Sequence, residues 1–343
     1  MRVAVTGGLG HAGRVIAGYL DEQGHQVWTV DRHESGLSGI EHRRADLADR
    51  SGLGGSLGGC EAVVHFASLR SPYVAAPEEV FSSNAAGAFN LFEAARRAGA
   101  RLVIAAGSYN ALGYFFGRSS VALQYLPVDE RHPVHATDPY SFGKQVVEDV
   151  GRYAWNTHRL SNIVLRLPML LAPDLNAPAA GGSLPFSGSN DVLRRLLSMP
   201  EPEARGEYAR LRTLYDHRRR SALDELKAEL LHAEAGEGGP ADGLSAEELW
   251  LCERALNLFS FLHLDDLARL VDKALGAEIT GSHAVFVSDK NNTAGVPSED
   301  LARIFYPDTA RPRGELEGTA SLVNLEAVSH LLDFEADTVR RLW

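Results

Sequence analysis

"RVAVTGGLGHAGRVIAGYLDEQGHQVWTVD", residues 2–31, decides the architecture. Its first five residues are β-prone and run straight into glycines. "HAGRVIAGYLDEQG" then carries apolar residues at helical spacing and stops at Gly24. A second apolar run, "HQVWTVD", follows at once. Strand, glycine turn, helix and strand make a βαβ unit, and such a crossover joins parallel strands.

The alternation continues outward through "EAVVHFA" (61–67), a helix from about Pro77 to Ala98, and "RLVIAAGS" (101–108). A helix opening at "DPYSFGKQVVED" (138–149) and a strand at "SNIVLRLP" (161–168) come next. Strands this apolar, separated by amphipathic helices, predict an α/β fold: a Rossmann-type, doubly wound parallel sheet covered on both faces by helices. Residues 1–172 are expected to form that domain. The character then changes. "APDLNAPAAGGSLPFSGSN" reads as loop, 191–233 as mostly helical and charged, and "AGEGGPADG" as a break. "SAEELW" offers a capping box, Ser245 with Glu248 three residues on. Residues 173–256 are therefore expected as a helical insertion in a smaller C-terminal substrate lobe, and 257–343 as the remaining strands and helices. There "FLHLDDLARLVDKAL" reads as strand into helix, "HAVFVSD" as strand, and "SEDLARIF" and "NLEAVSHLL" as helices.

Composition narrows the classes of function. The chain is 45% hydrophobic and 23% charged with a formal net charge of −11, which argues against a nucleic-acid or acidic-membrane surface and for a small soluble ligand. Cys60 and Cys252 are far apart and show no metal-ligand spacing, so neither a disulfide framework nor a metal site is expected. No run approaches the roughly 20 apolar residues that span a bilayer, and the opening carries no basic leader. The expected setting is cytoplasmic.

"TGGLGHAG" places Gly7, Gly10 and Gly13 between the first strand and the first helix. Glycines serve there because the turn is tight, the backbone must approach a pyrophosphate, and the helix must pack closely on the sheet. A glycine triplet alone also fits an ordinary turn. Asp31, ending the second strand 18 residues past Gly13, stands where a carboxylate accepts hydrogen bonds from an adenosine ribose. Its charge would repel a 2′-phosphate, which favours NAD over NADP, although the adjacent Arg32 could tolerate one. Asp46, in "RRADL", taken alone reads as a loop aspartate in preference to a ligand contact.

Tyr140 and Lys144 stand four apart, on one helix face. A tyrosine, with pKa near 10, is a poor base until a nearby ammonium stabilises its phenolate. So tuned, it would take the proton of a secondary alcohol while hydride leaves for the cofactor. An isolated YxxxK is common on solvated helix faces, but here it follows a dinucleotide loop and a strand ending in "AAGS".

Together, "TGGLGHAG", "VVHFAS", Asn84, "VIAAGS", "PYSFGK", "LRLP" and "FLHLDDLARLV" make the chain resemble the extended short-chain dehydrogenase/reductase family, NAD-dependent sugar epimerases, dehydratases and dehydrogenases, over about 1–170 and 256–343. The resemblance implies Ser108 hydrogen-bonding the reacting oxygen, Tyr140 as acid/base and Lys144 on the nicotinamide ribose. It implies NAD contacts from Gly7, Leu9, Gly10, His11, Gly13, Asp31, Arg32, Asp46, Leu47, Phe66, Ala67, Asn84 and Pro168, besides Tyr140 and Lys144. It also implies a homodimer through helices flanking the Tyr140 region.

Departures from the pattern bear on the reaction. Family dehydratases carry Thr-Asp-Glu where this chain has "GSYNALG", so dehydration is not expected. "LRLPMLLAP" replaces the usual turn after "LR", and Phe259 stands where related epimerases present an arginine to a diphosphate, leaving Arg254 as the substitute. "AAGSYNALGYF" is similar to the "SSNHVxGFY" stretch of uronate dehydrogenases, which makes Ser68, Ser108, Tyr109, Asn110 and Arg254 the expected substrate contacts. The expected activity is oxidation of a secondary hydroxyl of a sugar or sugar derivative. The alternatives are an epimerase using the same keto intermediate with tightly held NAD, and an NAD-binding regulatory protein without catalysis, which the presence of Ser108, Tyr140 and Lys144 argues against. Finally, His217 and Arg218 to Arg220 read either as a lid meeting an anionic substrate or, by preference, as a solvated face paired with Asp216, Asp224 and Glu225. His65, near a strand end, reads as a satisfied core histidine.

Overall fold

The computed structural model describes residues 1–118, 122–171, 190–225, 243–310 and 316–336. In chain order come β1 (Arg2–Thr6), α1 (His11–Glu22), β2 (Gln26–Asp31), β3 (Glu41–Arg44), α2 (Arg50–Ser56) and β4 (Ala62–His65). Next, α3 (Pro77–Phe81) passes through a π-type segment, Ser82–Ala86, into α4 (Gly87–Arg97), followed by β5 (Leu102–Ala106), α5 (Pro139–His158), β6 (Ser161–Arg166) and β7 (Met169–Leu171). The helices α6 (Asn190–Ser198), α7 (Glu201–Glu225) and α8 (Ala246–Leu256) precede β8 (Phe261–His263), α9 (Leu264–Gly276), β9 (Ser282–Phe286), α10 (Ser298–Phe305) and α11 (Glu326–Leu332).

Seven strands form one sheet in the order β3-β2-β1-β4-β5-β6-β9, every neighbouring pair parallel. The period-two rule sorts their side chains. Val3 and Val5 join Ile16, Leu20, Leu267 and Leu270 on the α1/α9 face, while Ala4 points to the opposite face with Leu53, Leu91, Val147 and Val150. Both faces of the central strands are covered, so β1, β2, β4, β5 and β6 are mostly buried and largely apolar, as the sequence predicts, whereas the edge strand β3 is polar (Glu41–Arg44). Each such fully buried aliphatic side chain contributes about 1.5–3 kcal/mol relative to exposure.

A second core lies off the sheet. Leu193, Leu196, Leu211 and Tyr215 from α6 and α7 pack with Leu251 and Leu256 of α8 and with Leu301 and Phe305 of α10. Leu197 packs against the edge of this core. The α8 box closes as expected: Ser245 accepts from Glu248 N, and Glu248 accepts from Ser245 N. Leu226, Leu230 and Leu231, which the sequence offers as packing positions, fall outside the described residues, as does the stretch 172–189. Among the described residues, no helix is long and apolar enough to cross a membrane.

Candidate active site

Strand order reverses between β1 and β4, and the carboxyl ends of parallel strands around such a switch point border a crevice. The glycine loop leaves β1 there. Gly7 takes φ 68°, and a Cβ on it would lie 2.5 Å from Ala67 N, so only glycine lets the loop lie against the end of β4. A Cβ on Gly13 would lie 2.1 Å from Gly7 O, which fixes how tightly α1 meets the loop. Gly10 precedes α1 without any side-chain cap, leaving the first amides of that helix to the crevice. Asp31 ends β2 with its carboxylate half-withdrawn beside the loop, Oδ2 3.4 Å from Leu9 N and Oδ1 3.4 Å from His33 N. A close backbone cradle with a carboxylate at its rim fits a dinucleotide.

Leu9 is half-buried, and His11 and Arg32 are exposed at the same rim. Asp46 is exposed, and its Oδ1 accepts from Ala48 N at 2.8 Å, closing a turn of its own loop. Leu47 packs beside Gly87 and its carbonyl accepts from Asn90 Nδ2 at 2.9 Å. Phe66 and Ala67 follow β4, Phe66 N donating to Thr6 O at 3.0 Å. Asn84, buried in the π-type segment, spends its whole amide on one residue. Oδ1 accepts from Leu69 N at 2.8 Å and Nδ2 donates to Leu69 O at 2.9 Å, which pins the loop after β4. Pro168 is buried just past β6.

The helix α5 carries Tyr140 and Lys144. Asp138 accepts from Ser141 N at 2.8 Å and Pro139 occupies the first turn, a start built to fix Tyr140 at the helix mouth. Lys144, one turn on and buried, donates to Ala106 O at 2.9 Å and Ser68 Oγ at 3.3 Å. Ser108, just past β5, accepts from Asn110 N at 3.0 Å and lies near enough to Tyr140 to pull its pKa down. The fold thus brings Ser68, Ser108, Tyr140 and Lys144 together from three segments. Asn110 is half-buried, its Oδ1 without a hydrogen-bond partner among the described residues.

Electrostatics corrects one expectation. Burial pushes the Tyr140 hydroxyl up to about 12, against the pull of Ser108, while Asp138 raises it and Arg70 lowers it. Lys144 was expected to lower it; its ammonium lies 5.6 Å from the centroid of the Tyr140 ring, and burial brings its own pKa down to about 8. Arg70, whose position in the loop after β4 carries no motif, adds a small downward pull on the phenol. His65 behaves as a core histidine. Its Nδ1 meets Thr6 Oγ1 at 2.8 Å, and burial drives its pKa down to about 3.

Two expected contacts, and one expected solvated face, lie elsewhere. Arg254 is fully buried in the lobe, with Nη2 donating to Thr293 O at 2.6 Å and the guanidinium over Phe259, so it presents nothing to the crevice. The Tyr109 ring is buried edge-on against Phe286, 5.0 Å between centroids, in the lobe core. The arginine cluster is not a solvated face: Arg218 and Arg219 are buried, and only His217 and Arg220 are exposed. Physically, α7 packs on the 114–118 segment, which supplies backbone carbonyls to Arg219 where solvent was expected.

Phe116, which no pattern singled out, lies edge-on to Tyr140 at 5.4 Å. Both cysteines are buried and free. Among the described residues, no group of His, Cys, Asp and Glu could hold a metal ion.

Known proteins fit this geometry. The chain is 25% identical over 205 residues to a uronate dehydrogenase of Pseudomonas syringae pv. tomato, covering 58% of this chain and 70% of the relative. It is 28% identical over 154 residues to a UDP-glucose 4-epimerase of Streptomyces lividans, of which the match spans 44%. The structure is similar to a short-chain dehydrogenase/reductase superfamily protein from Agrobacterium tumefaciens with bound NAD, at TM-score 0.62 and 20% identity, covering 100% of this chain and 94% of that one. It is also similar to a UDP-glucose 4-epimerase of Thermotoga maritima with UDP-glucose, at TM-score 0.59 and 18% identity, covering 98% and 94%. Residues 3–192 match the model of the NAD dependent epimerase/dehydratase family, and with the parallel sheet and its glycine cradle this shows that the chain belongs to that family.

Proposed function

We propose that the protein oxidises a secondary hydroxyl of a sugar or sugar acid, with NAD as hydride acceptor. The observation that carries this reading is the convergence of Ser108, Tyr140 and Lys144 at the strand ends beside the glycine cradle. Gly7, Gly10, Gly13 and Asp31 would hold the dinucleotide, with Asn84 steadying the loop through Leu69. NAD supplies the hydride acceptor and a cationic ring when bound. Ser108 already accepts from Asn110 N, which leaves its own O–H to donate to the substrate oxygen. Tyr140 exchanges the proton at that oxygen, and burial makes it a weak acid until cationic charge, Arg70 included, stabilises the phenolate. Lys144, tied to Ala106 and Ser68, is a fixed donor for a ribose hydroxyl.

Support for a sugar acid comes from the likeness to uronate dehydrogenase. The decisive experiment incubates the protein with NAD and a panel of aldoses, uronic acids and nucleotide sugars while NADH absorbance is followed. Net NADH with a free sugar or uronic acid, lost in Tyr140→Phe, is expected. Interconversion of sugar epimers with no net NADH would replace the dehydrogenase by an epimerase sharing the same first half.

A homodimer belongs to the same proposal. Phe89 of α4 and Phe142 and Tyr153 of α5 are exposed, Phe142 stacked on Phe81 and Phe89 against Tyr153, an aromatic face suited to a second copy of these helices. Phe142→Glu is expected to yield a monomer in light scattering. An unchanged mass would remove this face from the dimer.

A further inference from the structure

The inserted helix α7 meets the site twice. Arg219, with no exposed surface, donates through Nη1 to Phe115 O at 2.6 Å and Tyr114 O at 3.3 Å. Its Nη2 is held 2.8 Å from Asp216, which also accepts from Arg212 Nε at 3.1 Å, so the guanidinium is fixed from behind by its own helix. Five residues beyond Arg219, Asp224 pairs with Arg118 at 2.5 Å, and Arg118 N donates to Thr137 Oγ1 at 2.8 Å, just ahead of the Tyr140 helix. The segment 114–118 is therefore tied to α7 near both ends. Gly113, at φ 76° with a would-be Cβ 2.0 Å from His135 O, sets its entry.

Between those ties sits Phe116. Its ring is edge-on to Tyr140 at 5.4 Å and to Tyr73 at 5.6 Å, and Tyr73 forms a small apolar cluster with Ala222 and Leu223 of α7. Backbone ties at one end and apolar contacts at the other hold this ring against the reacting tyrosine. A segment of coil with neither helix nor strand hydrogen bonds would otherwise be free to move.

We infer that Arg219 is a positioning residue: from the insertion it sets Phe116 against Tyr140 and thereby shapes the sugar side of the cleft. This rests on the reading of Tyr140 as the group that meets the sugar. It assigns the insertion a task in substrate selection rather than cofactor binding, since the hydrogen bonds of Arg219 fall on Tyr114 and Phe115 and its ion pair on Asp216 of its own helix.

The test is a double-mutant cycle in the full chain. Arg219→Met and Phe116→Ala are each expected to lower kcat/KM for the best sugar about tenfold, mainly through KM, with the Kd for NAD within about twofold of wild type. The combined variant is expected to be no worse than the poorer single one, because both changes remove the same wall. Additive losses, an equal fall in NAD affinity, or unchanged kinetics in Arg219→Met would each overturn the assignment. Arg219→Lys, which retains one donor, is expected to fall between, and it carries the test should the Met variant not fold. A readout independent of turnover uses Phe116→Trp. Its difference emission is expected to shift to the red and become more quenchable by acrylamide when Arg219→Lys or Arg219→Met is added. Unchanged emission would overturn the positioning role. Absence of turnover on every sugar in the wild type would instead sink the proposed reaction while leaving the emission result to decide on Arg219.

Discussion

The two sides of the cleft are made of different material. The proposed dinucleotide side is largely backbone: glycines pressed against strand ends, an uncapped helix start, and a loop whose Leu69 peptide groups meet the Asn84 side chain. The lobe side is long side chains turned inward, with Arg219 and Arg254 without exposed surface and Glu253 buried among them. Backbone constraints such as that of Gly7 against Ala67 admit few residue types. Side-chain ties such as Arg219 to Phe115 join positions 104 residues apart and admit many.

Tyr140→Phe strikes where the two sides meet and has the largest expected effect. General acid–base catalysis contributes roughly 10²- to 10⁴-fold, so kcat should fall by that order while NAD binding, followed by titration, stays within about twofold. Full turnover in this variant would remove Tyr140 from the chemistry. Gly13→Ala probes the backbone side alone. Its Cβ would collide with Gly7 O at 2.1 Å, and a loss of NAD affinity of roughly ten- to a hundredfold, about 1.4–2.7 kcal/mol, is expected by calorimetry. Equal affinity would mean the loop does not approach the dinucleotide.

What could be read in advance follows the same division. Gly7, Gly10 and Gly13 are legible because nothing else fits the turn, and the Ser245–Glu248 box because its two bonds span three residues. Tyr140 and Lys144 are legible through helical spacing. The doubly wound parallel sheet is legible from apolar strands alternating with helices, but the polar edge strand β3 and the order of the seven strands are seen only in the fold. Arg218 and Arg219 were misread because a run of arginines is ordinarily solvated, and only tertiary contact shows which carbonyls receive them. Arg254 failed likewise: a sequence shows that an arginine is nearby, not that Thr293 O already holds it. Phe116 belongs to a stretch with no periodicity, so no pattern could place it on Tyr140.

Smaller effects sharpen the contrast. Asn84→Ala removes both bonds to Leu69 and is expected to cost about 1–3 kcal/mol in denaturant unfolding. A neutral result would show that the loop after β4 holds itself. On the lobe side, burial raises the Glu253 carboxyl to about 8, against the pull of Arg218. The folded chain therefore keeps a proton that the unfolded chain has released above its ordinary pKa of 4.5, so this residue makes stability fall as pH climbs from about 4.5 to about 8. Glu253→Gln cannot release that proton. Its Tm relative to wild type should rise across the same window, whereas parallel curves would mean Glu253 does not titrate there.

The π-type segment Ser82–Ala86 has a consequence in the arithmetic of the chain. A π turn is an α-helix that has taken in one extra residue, and each residue turns an α-helix by about 100°. Deleting Ser82, an exposed residue whose substitution should matter little, would let the helix close and rotate one side against the other. Either Asn84 would swing away from Leu69 or Phe81 away from Phe142. The gene must therefore preserve the length of this helix to the single codon, a constraint on reading and counting that no tolerance for substitution along its surface would reveal.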